Sequence, residues 1–179
     1  PCRRRTSAAP QTAAAQPEAL AISCDGEGLC YAELLERVES VAAALMAAGI
    51  AAGDRVGICL PRGMLMVEVI LASLRIGAAY VPIDTHSPPL RRQRILTAAG
   101  VNILVQDCAT ETMANSSIPV LDAPRLTALA PVANPSVLPG LEQLSLQDDA
   151  YILFTSGSTG DPKGIPVCHL GLAVYLEWA

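Results

Sequence analysis

Residues Thr155 to Gly164 read TSGSTGDPKG and carry the groups needed to grip an anion. Gly157, Gly160 and Gly164 let the backbone turn tightly and bring its N–H groups close to a ligand. Thr155, Ser156, Ser158 and Thr159 add four hydroxyl donors. Lys163 adds a positive charge on a flexible stem, and Pro162 stiffens the returning chain. This set suits a polyphosphate. Two familiar phosphate patterns are excluded. Lys163 is neither directly preceded by Gly nor followed by Ser or Thr, as a Walker A loop requires, and no G-x-G-x-x-G occurs. The competing reading is a flexible, solvated Gly/Ser loop. The order of residues argues against it, because eight specified positions at roughly 5–7% usage each do not coincide by chance. A helix starting near Val167 is expected behind the loop.

Other chemically able residues are weaker candidates. His169, five residues past Gly164, either helps position the loop or packs against a helix. His86 reads as a solvated loop residue. Arg91, Arg92 and Arg94 could make an anion site but read better as a solvated helix face. Asp148 and Asp149 precede an apolar run and read as turn residues. No residue is singled out as a metal ligand. The six cysteines, Cys2, Cys24, Cys30, Cys59, Cys108 and Cys168, include no C-x-x-C pair. Several lie in apolar runs, where a free thiol behaves as a small hydrophobe, so disulfides are not expected and a reduced, cytoplasmic setting fits.

The elements that must hold the loop come from a globular composition: 51% apolar, 16% charged, 179 residues. A formal charge of −5 argues against a general nucleic-acid binder. The longest apolar stretch, Met64 to Ile83, is broken by Glu68 and Arg75, so no membrane span is expected. The basic start lacks an apolar core and is no secretory signal. The sequence begins at Pro1 and ends within an apolar run, and so reads as a fragment.

Residues 1–17 read as a Pro-punctuated linker and residues 18–179 as one domain. Glu18–Ser23 is expected as a strand, with Gly26 and Gly28 marking a turn. Tyr31–Ala48 has a helical stripe of Leu34, Leu35, Val38, Val41, Ala42, Leu45 and Met46, with Glu33, Glu36, Arg37 and Glu39 off it. Cys30 stands where a Ser or Thr would complete a capping box with Glu33, which weakens this helix start. Strands at Arg55–Leu60, Ala79–Ile83 and Asn102–Gln106 alternate with helices at Arg62–Ile76 and from Pro88 and Pro89 through Ala99. That alternation predicts an α/β fold of βαβ units with a mostly parallel sheet. Cys108–Asp148 reads as a long surface connection with only Ile118–Leu121 strand-like. Ala150–Phe154 is a strand running straight into the Gly-rich loop.

TSGSTGDPKG resembles the signature loop of the AMP-binding, adenylate-forming superfamily. Leu29–Ile50, Leu60–Asp84 (ending VPID) and Tyr151–Leu172 resemble three core motifs of the adenylation domains of nonribosomal peptide synthetases, in family order. Thr85 follows VPID where the family commonly has Pro, and Cys30 replaces the usual Thr or Ser. The resemblance implies the N-terminal part of the large subdomain of an adenylate-forming enzyme. It implies ATP and Mg2+ as cofactors, an amino acid or other carboxylate as substrate, and a peptidyl carrier domain whose phosphopantetheine thiol takes the aminoacyl group. Thr155, Ser156, Gly157, Ser158, Thr159, Gly160, Lys163 and Gly164 would hold the β- and γ-phosphates. The catalytic residues would lie beyond Ala179, leaving the fragment alone inactive. An acyl- or aryl-CoA ligase of the same superfamily and a catalytically dead, nucleotide-binding fragment are the alternatives.

Overall fold

A computed structural model describes residues 15–107, 117–128, 145–156 and 162–178. β1 (Leu20–Cys24) and β2 (Glu27–Cys30) form a small antiparallel hairpin that turns through Asp25 and Gly26, both with positive φ. Gly28, expected in the turn, lies in β2. α1 (Tyr31–Ala47) follows directly. The Glu33 carboxylate accepts the Cys30 backbone N–H at 2.9 Å, so a capping box is laid out although Cys30 replaces a hydroxyl residue. The end of the expected linker is tied to this helix, since the Pro17 carbonyl accepts the Ala32 N–H at 3.0 Å.

β3 (Arg55–Cys59), α2 (Met64–Ile76), β4 (Ala79–Pro82), α3 (Pro89–Ala99) and β5 (Ile103–Gln106) are the expected alternation. β4 and β5 pair on opposite sides of β3, both parallel to it. β6 (Val120–Asp122) extends the parallel sheet beyond β5 and leads into the short α4 (Ala123–Thr127). On the other side β7 (Asp149–Ser156) lies parallel to β4, and β8 (Pro162–Cys168) closes the edge antiparallel to β7. α5 (His169–Trp178) ends the described chain. The six-stranded order is β6-β5-β3-β4-β7-β8, which bears out the α/β class.

Alternation along the strands sorts the core into two layers. Val56, Ile58, Ile103 and Val105 face α1 and α2, while Cys59, Val81, Leu104 and Ile152 face α3. Each such Val, Leu or Ile side chain, fully buried, contributes about 1.5–3 kcal/mol. α1 and α2 are also joined by charge. Arg75 Nε lies 2.9 Å from Glu39 Oε1, and Arg37 Nη1 lies 3.4 Å from Glu68 Oε1. Glu39 was expected off the apolar stripe but is 4% exposed, because Arg75 reaches across to meet it. Among the described residues no helix is long and apolar enough to cross a membrane, and Cys24, Cys30, Cys59 and Cys168 are free thiols.

Candidate functional site

β7 begins where Asp148 closes a turn, donating its N–H to the Ser145 carbonyl (3.0 Å) while its carboxylate accepts the Ser145 N–H (2.9 Å). Asp149 opens the strand itself, 3.6 Å from Arg55 Nη2. The strand does not stop at Phe154. β7 continues through Thr155 to Ser156, and the chain returns as β8 from Pro162. The expected strand–loop–helix is therefore a β-hairpin, with the helix starting at His169 instead of near Val167. Pro162 and Pro166 are tolerated in β8 because it is an edge strand.

The register sets the site. Thr155 pairs with Lys163, Phe154 with Gly164, Leu153 with Ile165, and Ser156 with Pro162. Directly opposed residues share a sheet face, so the Thr155 hydroxyl and the Lys163 ammonium project together, and both residues are exposed. Leu153 and Ile165 are on the same face, 44% and 47% exposed. Gly164 is on the other face, beneath Phe154. A Cβ there would stand 2.9 Å from Phe154 Cζ and 3.2 Å from Ile152 Cγ2, so only glycine lets β8 lie this close. The structure thus brings Thr155, Ser156, Lys163 and Gly164 to one end of the hairpin. Gly157, Ser158, Thr159 and Gly160 lie outside the described residues.

The remaining candidates separate. His169 is 2% exposed at the far end of β8 from Lys163, roughly 20 Å along the strand at about 3.3 Å per residue. Its N–H donates to the Asp148 carbonyl at 3.0 Å, and burial pushes its imidazole pKa down. It packs the β8–α5 junction. His86 is solvated, its side chain 93% exposed. Its N–H donates to Asp84 Oδ1 at 2.9 Å, which holds that carboxyl below its ordinary range. The three arginines of α3 do not form one solvated face, because Arg92 is 6% exposed and turned inward. What the residue pattern concealed was β8. Its alternating Ile165 and Val167 carry a strand signal that the two prolines obscured.

A family model described as AMP-binding enzyme matches residues 9–178. Phenyloxazoline synthase MbtB of Mycobacterium sp. (strain MCS) is 39% identical over 170 residues, covering 94% of this chain and 14% of that protein. The N-terminal subdomain of Klebsiella oxytoca NpsA, solved with 3-hydroxybenzoyl-AMSN, superposes with a TM-score of 0.83 at 29% identity, over 96% of this chain and 42% of that one. NpsA was also solved in an artificial fusion with ThdA, described as an adenylation-PCP di-domain (TM-score 0.80, 31% identity, 92% and 32% covered). O-succinylbenzoate coenzyme A synthetase of Bacillus subtilis, in complex with AMP, shares the fold at 24% identity (TM-score 0.79, 89% and 41% covered). The chain thus spans a minor part of these relatives' length.

Proposed function

We propose that this chain supplies the phosphate-gripping hairpin of an enzyme that activates a carboxylate as its adenylate; the premise is that the chain belongs to the AMP-binding enzyme family. In this reading a substrate carboxylate oxygen attacks the α-phosphorus of ATP. The bond to the β-phosphate bridging oxygen breaks and pyrophosphate leaves with the electron pair. The obstacle is charge, since an anion must approach a polyanion. Groups fixed in advance where negative charge collects lower that barrier.

The observation that carries the reading is the Thr155–Lys163 pair at the end of the hairpin. It offers an ammonium and a hydroxyl, both exposed, to the phosphates that become pyrophosphate. Ser156, Gly157, Ser158, Thr159, Gly160 and Gly164 complete the proposed cradle. Mg2+ is commonly held by one or two carboxylates plus a nucleotide's phosphates and would neutralise part of the remaining charge. No three potential ligands converge among the described residues.

The finer reading is that the acyl group is an amino acid, passed as aminoacyl-AMP to a phosphopantetheine thiol on a peptidyl carrier domain. Similarity to MbtB and to NpsA, which was solved fused to a carrier, supports a carrier as acceptor over coenzyme A, for which O-succinylbenzoate coenzyme A synthetase offers likeness of fold alone, while the amino acid rests on the resemblance of the core motifs. The test is Lys163→Ala in the full-length protein. Loss of one charge-assisted contact should lower kcat/KM for ATP in pyrophosphate exchange roughly 10- to 100-fold, with the circular dichroism spectrum intact. Unchanged exchange would overturn the assignment of the hairpin.

A further inference from the structure

α5 is apolar on every side. Leu172 to Leu176 run Leu-Ala-Val-Tyr-Leu with no charged residue between them, and this run outlasts the about 3.6 residues of one helical turn. A helix of that kind belongs in an interior. Among its described residues only His169 is buried, while Val174, Tyr175, Leu176 and Trp178 are 58–89% exposed. A bilayer is not that interior, because no helix among the described residues is long and apolar enough to cross one.

The sheet beside it is bare on one face. Leu153 pairs with Ile165 and Tyr151 with Val167, so all four share a face. That face joins the core at Tyr80, whose ring centroid lies 5.3 Å from that of Tyr151 and which packs against the cluster under α1 and α2. The helix layer stops there, since Leu153 and Ile165 stay 44% and 47% exposed. Phe154, on the opposite face, packs with the α3 cluster. Mostly parallel sheets bury both faces, and here only one is buried beyond β4. Val167 links the bare face to α5, because a Cβ at Gly171 would stand 3.4 Å from Val167 Cγ1. Pro162 and Pro166 lack the N–H groups that a further strand on the β8 edge would need, so the missing cover must be held by side chains.

We propose that α5 and the bare β7–β8 face form one docking surface, filled by apolar side chains from the part of the same subdomain that lies outside residues 1–179. Along 96% of its length this chain aligns with 42% of the NpsA N-terminal subdomain, so more than half of a subdomain of this kind lies outside it. A tethered segment meets the surface at high effective concentration, whereas a second copy or a carrier domain must find it by diffusion. Permanent closure is what a helix apolar on all sides requires. The inference rests on family membership and not on the phosphate reading of the hairpin.

Two measurements on the wild-type, full-length protein test it, and neither depends on ATP. In hydroxyl-radical footprinting, Tyr175 and Trp178 should oxidise at least about tenfold more slowly in the folded protein than in urea. Oxidation at the urea rate means an open surface and overturns the proposal. Photo-leucine incorporated in place of leucine identifies the occupant. Leu153 and Leu176 should cross-link, within one molecule, to peptides of the same subdomain outside residues 1–179. Cross-links confined to residues 1–179 mean that the chain covers itself, a cross-linked dimer means a second copy, and links to a carrier domain mean an acceptor's docking site. Each of these three results overturns the proposal.

Discussion

Thr155 and Lys163 stand directly opposite each other across the β7–β8 hairpin. Opposed Cβ atoms in an antiparallel pair are about 4.5–5.5 Å apart, so the hydroxyl and the ammonium can reach one phosphate group together. Two side chains sharing one ligand should not act additively. Thr155→Val and Lys163→Ala, made singly in the full-length protein, are each expected to lower kcat/KM for ATP at least about fivefold. The double variant should lose less than the product of the two. Losses that multiply would mean that the two side chains serve different groups.

Gly164 sets how closely β8 approaches β7. An added methyl would meet Phe154 Cζ at 2.9 Å and Phe154 Cε1 and Ile152 Cγ2 at 3.2 Å. Ile152 is held in the core beside α3, so the Phe154 ring or the edge strand must give instead. Gly164→Ala is expected to destabilise the protein by about 1–3 kcal/mol and to displace the Thr155–Lys163 pair with it. Denaturant unfolding reads the first effect and ATP affinity the second. Phe154→Leu in the same protein should restore part of both, because it removes the ring that the methyl strikes.

The β3-α2-β4-α3-β5 alternation was legible because each element carries its own period and its own stop. Gly77 and Gly100 close α2 and α3 in the left-handed conformation where the pattern places them. β8 was not legible, because prolines at 162 and 166 argue locally against a strand and only the pairing with β7 makes an edge strand of it. α4 was hidden in the same way by Pro124, which sits in the first helical turn, where its missing N–H costs nothing. Glu39 and Arg92 read as solvated because a charged side chain normally is. The partner that buries Glu39 lies 36 residues away on another helix, beyond any local window. The candidate residues of the hairpin stand out by type and spacing, but the face shared by Thr155 and Lys163 follows from register alone.

Glu39 is buried with Oε1 held by Arg75 at 2.9 Å and Oε2 without a partner. Removing the arginine would leave that carboxylate in the α1–α2 interface without its ion pair. Arg75→Met is expected to cost about 3 kcal/mol, the size typical of breaking a buried pair from one side. Adding Glu39→Leu should recover most of that loss, since a pair replaced by apolar groups of similar volume is often neutral. Urea unfolding of the single and double variants measures both. A double variant as unstable as Arg75→Met would mean that the helices depend on charge rather than on packing at this contact.

His169 should make stability depend on pH in one direction. Burial lowers its pKa below the ordinary 6.5, and the nearby Asp148 carboxylate only partly opposes this. The unfolded chain therefore binds a proton more readily than the folded one. Stability from this residue is fully present above about pH 6.5 and declines as the pH falls from there through the folded value. The Nε2 atom has no partner, so no acceptor waits to offset the charge once it forms. His169→Gln removes the titration. Its stability relative to wild type should improve steadily between about pH 7.5 and about pH 5.5, read as the difference in urea midpoints. A difference that stayed flat would mean that the folded imidazole takes up its proton as easily as the unfolded one. A difference that moved the other way would mean that Asp148 closes on the imidazolium and turns the β8–α5 junction into an ion pair.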